Sequence, residues 1–177
     1  MDMSQIFGYA ATIVSIIGFQ LKKQWQIILS QFFSNAFVAL SYLFLGVEKM
    51  SGGAVCLVGA LQTLTNFFYL KKEKTPPRAL TVVFLALYVA ASVFTLCIAE
   101  TVKVPYDLLP LFGSLIFLIG VSIKNSTATR FLFLANMLVW IAYDVMATPI
   151  ATANMVTHLC ILISVVVGIV RYDIIKK

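Results

Sequence analysis

Ala79-Leu-Thr-Val-Val-Phe-Leu-Ala-Leu-Tyr-Val-Ala-Ala-Ser-Val-Phe-Thr-Leu-Cys-Ile-Ala99 runs 21 residues without a charge. About 20 apolar residues in a row are what an α-helix needs to cross the hydrocarbon core of a bilayer. Pro76 and Pro77 precede the stretch and break any helix arriving from upstream. On either side lie six more apolar windows: Ile6–Leu21, Ile27–Leu45, Gly52–Leu70, Leu108–Ile123, Phe131–Thr148 and Ala151–Val170. Of the 20 charged residues, 19 fall outside these seven windows, and Asp144 is the exception. The first and fifth windows are short and must borrow flanking residues such as Ser4, Gln5 or Asp107. Membrane strands would show alternation over about ten residues, which these windows do not. The pattern predicts an all-α membrane protein with seven transmembrane helices.

Composition agrees. Apolar residues make up 61% of the 177 and charged residues 11%, against roughly half and a quarter in an average globular protein. A chain of this size cannot bury so much apolar surface within itself. That excludes a soluble enzyme, a nucleic-acid reader and a disordered tail. The net charge of +6 is a matter of orientation instead. One set of loops carries Lys22, Lys23, Lys71, Lys72, Lys74, Arg78, Lys124, Arg130, Arg171, Lys176 and Lys177, and the other only Lys49 and Lys103. Because cytoplasmic loops hold the Lys/Arg excess, the N-terminus is expected outside and the C-terminus inside. Anionic headgroups suffice as the partner of the basic residues. Met1–Gln5 has no positive charge, so the first window does not read as a cleavable signal.

The chain also repeats itself. Asn35 precedes Tyr42 by seven residues, as Asn136 precedes Tyr143. Gly18 and Lys22 stand before Asn35 much as Gly120 and Lys124 stand before Asn136. These matches predict a 3+1+3 plan: a first three-helix repeat over 6–70, a linker helix over 79–99 and a second repeat over 108–170, all within one membrane domain. The single extra span lets both repeats face the same way, giving a parallel repeat about an axis along the membrane normal. Small residues recur at three- and four-residue steps on the first window (Gly8, Ala11, Thr12, Ser15, Gly18) and the third (Gly52, Cys56, Gly59, Ala60, Thr63). Such stripes mark helix-contact faces in lipid, and Ser30, Ser34 and Ser41 read the same way.

The segments Asp107-Leu-Leu-Pro-Leu-Phe-Gly113, Gly120, Asn136-Met-Leu-Val-Trp140-Ile-Ala-Tyr143-Asp144, Tyr42-Leu-Phe-Leu-Gly46 and Gly59-Ala-Leu-Gln-Thr-Leu64 resemble the YgjV family of bacterial inner-membrane proteins. That resemblance implies a multi-pass protein of the bacterial cytoplasmic membrane. More distantly, the 3+1+3 plan with an outside N-terminus resembles the SWEET and PQ-loop transporters, which implies movement of a small polar solute such as a sugar. The Pro-Gln pair of that group is not present: the corresponding positions read Gly18-Phe-Gln-Leu-Lys22 and Gly120-Val-Ser-Ile-Lys124.

Asn35 and Asn136 sit near the middle of their windows. They either line a cavity between the repeats, where repeated transporter folds place their sites, or bond neighbouring helices. Trp140 lies one turn from both Asn136 and Asp144, so the three share a helix face. An indole beside a carboxamide suits a flat solute, and suits bundle packing equally. Gln62 and Tyr143 complete the candidate substrate-binding set. A carboxylate in hydrocarbon costs about 2.5–3.5 kcal/mol on insertion scales, so Asp144 faces protein or water, or snorkels outward. It is a proton-coupling candidate with His158, the chain's single histidine. Cys56, Cys97 and Cys160 each stand alone in a window and read as packing residues. No ligand-spaced Cys/His set, phosphate-binding loop or nucleophile motif is present, so neither metal, cofactor nor enzymatic activity is expected. The expected partners are the bilayer, a small polar solute and, within the bilayer, further copies of the chain, but no nucleic acid. The leading reading is a facilitator or proton-linked carrier. The other is a non-transporting scaffold or accessory subunit that binds lipid or another membrane protein.

Overall fold

The computed structural model describes residues 2–45, 50–98, 108–146 and 152–175. Among them are seven α-helices and no strand: α1 (Met3–Phe19), α2 (Gln24–Leu45), α3 (Met50–Lys71), α4 (Arg78–Ile98), α5 (Leu109–Ser122), α6 (Ser126–Met146) and α7 (Thr152–Ile169). A π-helical turn, Val170–Ile174, extends α7. One helix thus falls on each apolar window. Four segments are long and apolar enough to cross a membrane: Gln24–Phe44, Gly52–Lys71, Ser126–Met146 and Asn154–Ile174. Met3–Phe19, Arg78–Phe94 and Leu109–Ser122 are shorter apolar helices. Glu48, Lys49, Glu100, Lys103 and Asp107 lie outside the described residues.

The helix starts have local causes. Asp2 caps α1, its carboxylate accepting from the Gln5 amide at 2.8 Å while Gln5 returns a bond to the Asp2 N–H, the reciprocal pairing of a capping box. This extends α1 back through Ser4 and Gln5. Asn125 accepts from the N–H groups of Thr127 and Ala128 and so starts α6 at Ser126, five residues ahead of its apolar window. Arg130, which the loop count assigned to a connection, is therefore helical and 1% exposed.

Neighbouring helices pack α1 on α2, α2 on α3, α3 on α5, α5 on α6, α6 on α7, and α7 back on α1. This closes a circuit of six, and α4 lies outside it against α3 and α5. The outer surface is apolar, with Ile13, Phe33, Leu43, Val82, Phe94 and Ile163 all exposed. Buried positions include Ser34, Gln31, Gln62, Asn66, Asn136 and Asp144. That polarity suits a solvent of lipid, in which polar groups find partners only inside the protein. The α1 stripe is the buried face of its helix: Gly8, Ala11, Thr12, Ser15 and Gly18 all point inward.

Contacts recur along the chain at a spacing of 102. Ser34 Oγ donates to Ala11 O and Asn136 Nδ2 to Gly113 O. Ser164 Oγ donates to Ile16 O, and Gln62 Nε2 to Leu118 O. Gly18 packs on Ser30, as Gly120 packs on Leu132. Asn66 Nδ2 reaches Val121 O, while Gly168 approaches Phe19 O. The sequence matches Asn35/Asn136 and Tyr42/Tyr143 are spaced by 101, one residue out of this register. A spacing of 102 pairs Asn136 with Ser34 and Asp144 with Tyr42.

Candidate functional site

A cavity of about 40 Å³ lies at the centre of the circuit. Gln31, Ser34, Asn35 and Val38 of α2 line one side, and Phe133, Asn136, Met137 and Trp140 of α6 the other. Between them come Val55, Cys56 and Gly59 of α3, Ser114 and Phe117 of α5, and His158 and Ile161 of α7. Tyr88 reaches in from α4.

The structure therefore brings Asn35, Asn136, Trp140 and His158 to one cavity. Their amides are already engaged. Asn35 Nδ2 donates to Gln31 O of its own helix at 2.8 Å, and Asn136 Nδ2 donates across to Gly113 O at 2.5 Å. Gly113 permits this approach, because a Cβ there would meet the Trp140 indole nitrogen at 3.1 Å. Gln62 is not on the lining. It accepts from the Tyr88 hydroxyl at 2.9 Å and donates to Leu118 O and Ser122 Oγ, joining α3, α4 and α5. Tyr143 is buried with its ring edge-on to Trp140, 5.8 Å between centroids.

Asp144 and His158 meet. Asp144 is fully buried, and its Oδ2 lies 2.5 Å from His158 Nδ1. Nothing in the sequence placed these two side by side. Enclosure also removes the outward, snorkelling alternative for Asp144. The Tyr42 hydroxyl donates to its other oxygen at 3.5 Å. The imidazole stacks on Trp140 with centroids 5.5 Å apart and planes at 27°, and Trp140 stacks in turn on Tyr42 at 6.4 Å. The histidine thus faces the carboxylate through one nitrogen while its ring forms part of the cavity wall. The same side chain touches both Asp144 and the cavity.

Sequence reasoning did not single out Gln31, Ser114 or Tyr88. Gln31 was accessible to it, one turn before Asn35 on the same face. Tyr88 was not, since its role depends on where α4 docks. A second polar centre sits at the Lys/Arg-rich end. Arg130 pairs with Asp173 at 3.2 Å and donates to Leu21 O at 3.1 Å, with its guanidinium 5.1 Å from the Tyr172 ring centre. Thr127 Oγ1 also donates to Asp173. Among the described residues no group of three His, Cys, Asp or Glu is placed to hold a metal ion. Cys56 is buried, Cys160 half-buried and Cys97 exposed.

No curated protein and no solved structure shows a significant match to the chain. A family model described as a bacterial inner membrane protein, Imp-YgjV, matches residues 2–175. The chain belongs to the YgjV family of bacterial inner membrane proteins, and its place is the bacterial inner membrane.

Proposed function

We propose that the chain is a proton-linked carrier of a small polar solute rather than an enzyme. Residues 6–70 and 108–170 are two like-facing three-helix units made by duplication, α4 joins them, and the N-terminus faces outward. The observation that carries this reading is the position of His158, which lines the central cavity and is bonded to the buried Asp144. The constant spacing of 102 between matching contacts supports the duplication. The cavity lining supports it as well: Ser34 and Asn136, Val38 and Trp140, and Cys56 and His158 are lining pairs at the same spacing. A cavity between repeated units is where solute sites of such folds lie.

Coupling has a direct physical route. His158 touches both Asp144 and the cavity, so a change in the proton shared by the pair alters the bond that orients the ring facing the solute. Two ligands that act on one group are linked in both directions. Uptake of a solute panel into proteoliposomes tests the proposal. Uptake should exceed that of empty liposomes, rise with an inward acid gradient and lose that response in Asp144→Asn. Uptake at the empty-liposome level for every solute would refute it.

The scaffold reading is favoured by a different observation. The cavity, at about 40 Å³, is far below the roughly 300 Å³ of ordinary ligand pockets, and both central asparagines already bond backbone carbonyls. Cysteines placed singly at Ser34, Asn136 and Trp140 in a Cys-free background separate the two. Labelling by water-soluble thiol reagents supports a pathway, and protection at all three supports a scaffold.

A further inference from the structure

Gln31 is 5% exposed and lines the cavity, and its Nε2 has no hydrogen-bond partner among the described residues. The other lining amides and hydroxyls each have one. Ser34 bonds Ser15, Asn35 bonds Gln31 O, Asn136 bonds Gly113 O, Ser114 bonds Leu111 O and Tyr88 bonds Gln62. A buried donor left unmet costs about 1–3 kcal/mol, so a retained one points to a partner supplied from outside the chain.

The walls define that partner. Among the described residues no Lys, Arg, Asp or Glu lines the cavity, and His158 is already tied to Asp144. Trp140, Phe117, Phe133, Met137 and Ile161 supply apolar surface. An ion would enter without a counter-charge, at a high desolvation cost. One water needs about 10–15 Å³ of such space, so 40 Å³ holds about three waters, or a solute of about four heavy atoms.

We infer that this cavity binds a neutral solute of about four heavy atoms bearing a hydrogen-bond-accepting oxygen, a short diol or primary carboxamide, with Gln31 Nε2 donating to that oxygen. Trp140 closes the site as a flat wall. The inference rests on the carrier reading for its role, but the property it assigns is occupancy of the cavity, which is measured separately from movement.

The chain has two tryptophans, and Trp25 packs against Phe67 away from the cavity. In a Trp25→Phe variant, emission therefore reports Trp140. Ethylene glycol and acetamide should each shift that emission saturably, while acetate and glucose should not. Gln31→Met should weaken the response at least tenfold. It should also melt at or above the parent temperature, because it removes the unmet donor while keeping the side chain's length. A response that is linear or absent for both solutes would overturn the inference. So would a response unchanged by Gln31→Met, or a lower melting temperature for that variant. Emission changes without uptake refute the carrier alone, and uptake without emission changes refutes the site alone.

Discussion

Tyr42 and Asp144 stand 102 positions apart and meet hydroxyl to carboxylate at 3.5 Å in the interior. The contact joins α2 to α6 across the interior of the bundle. The divergence is chemical: a phenol on one side, and on the other a carboxylate joined to His158.

That asymmetry sets an order of damage. His158→Leu leaves a fully buried carboxylate unpaired, a change that costs roughly 3–5 kcal/mol. Asp144→Asn keeps an acceptor for the ring and should cost about 1 kcal/mol. Tyr42→Phe removes the long contact to Asp144 and an interaction with Asn154, and should cost about 0.6 kcal/mol. Thermal unfolding in detergent should rank the three in that sequence, and a Tyr42→Phe loss as large as that of His158→Leu would contradict the geometry.

Two glycines predict opposite outcomes. A Cβ on Gly168 would come within 2.9 Å of the Phe19 carbonyl oxygen, whereas one on Gly8 meets nothing closer than 3.6 Å. Gly168→Ala must push α7 off α1, at about 1–3 kcal/mol. Gly8→Ala should stay within about 0.5 kcal/mol of the parent. Melting curves of the two single variants decide the matter.

The Arg130–Asp173 pair should behave as a buried one. Asp173→Ala strands the guanidinium and should destabilise by about 3 kcal/mol. Arg130→Lys should fail to restore full stability, since an ammonium cannot span both Asp173 and Leu21 O as the planar fork does. Because screening acts weakly on enclosed charges, the Asp173→Ala deficit should persist in half-molar salt. A deficit that vanishes on adding salt would place the pair at the surface.

Orientation is open to a direct assay. A fluorescent protein fused after Lys177 should fold and emit in cells, and alkaline phosphatase at the same point should stay inactive. The reverse pattern would invert the expected topology.

The helices were legible because lipid imposes a length and an absence of charge that sequence displays directly, as at Gly52–Leu70. Helix-contact faces were legible too, since close approach demands small residues, and Gly8 through Gly18 supplied them. Register was not. Asn35 and Asn136 match as letters at a spacing of 101, whereas the backbone contacts of Ser34 and Asn136 recur at 102, and one residue turns a side chain by about 100° around its helix. The Asp144–His158 bond and the burial of Arg130 were hidden for a related reason. Each depends on which helices become neighbours and where a helix begins, and an apolar window specifies neither.

Tyr88 gives α4 more than the duty of a tether. Its hydroxyl satisfies Gln62 and its ring helps enclose the hollow, so the sixfold circuit is not sealed by its own members. Two half-length polypeptides, each complete in its three helices, would assemble with a missing panel and a stranded Gln62 oxygen. The strip of sequence that looks most dispensable supplies one wall of the interior.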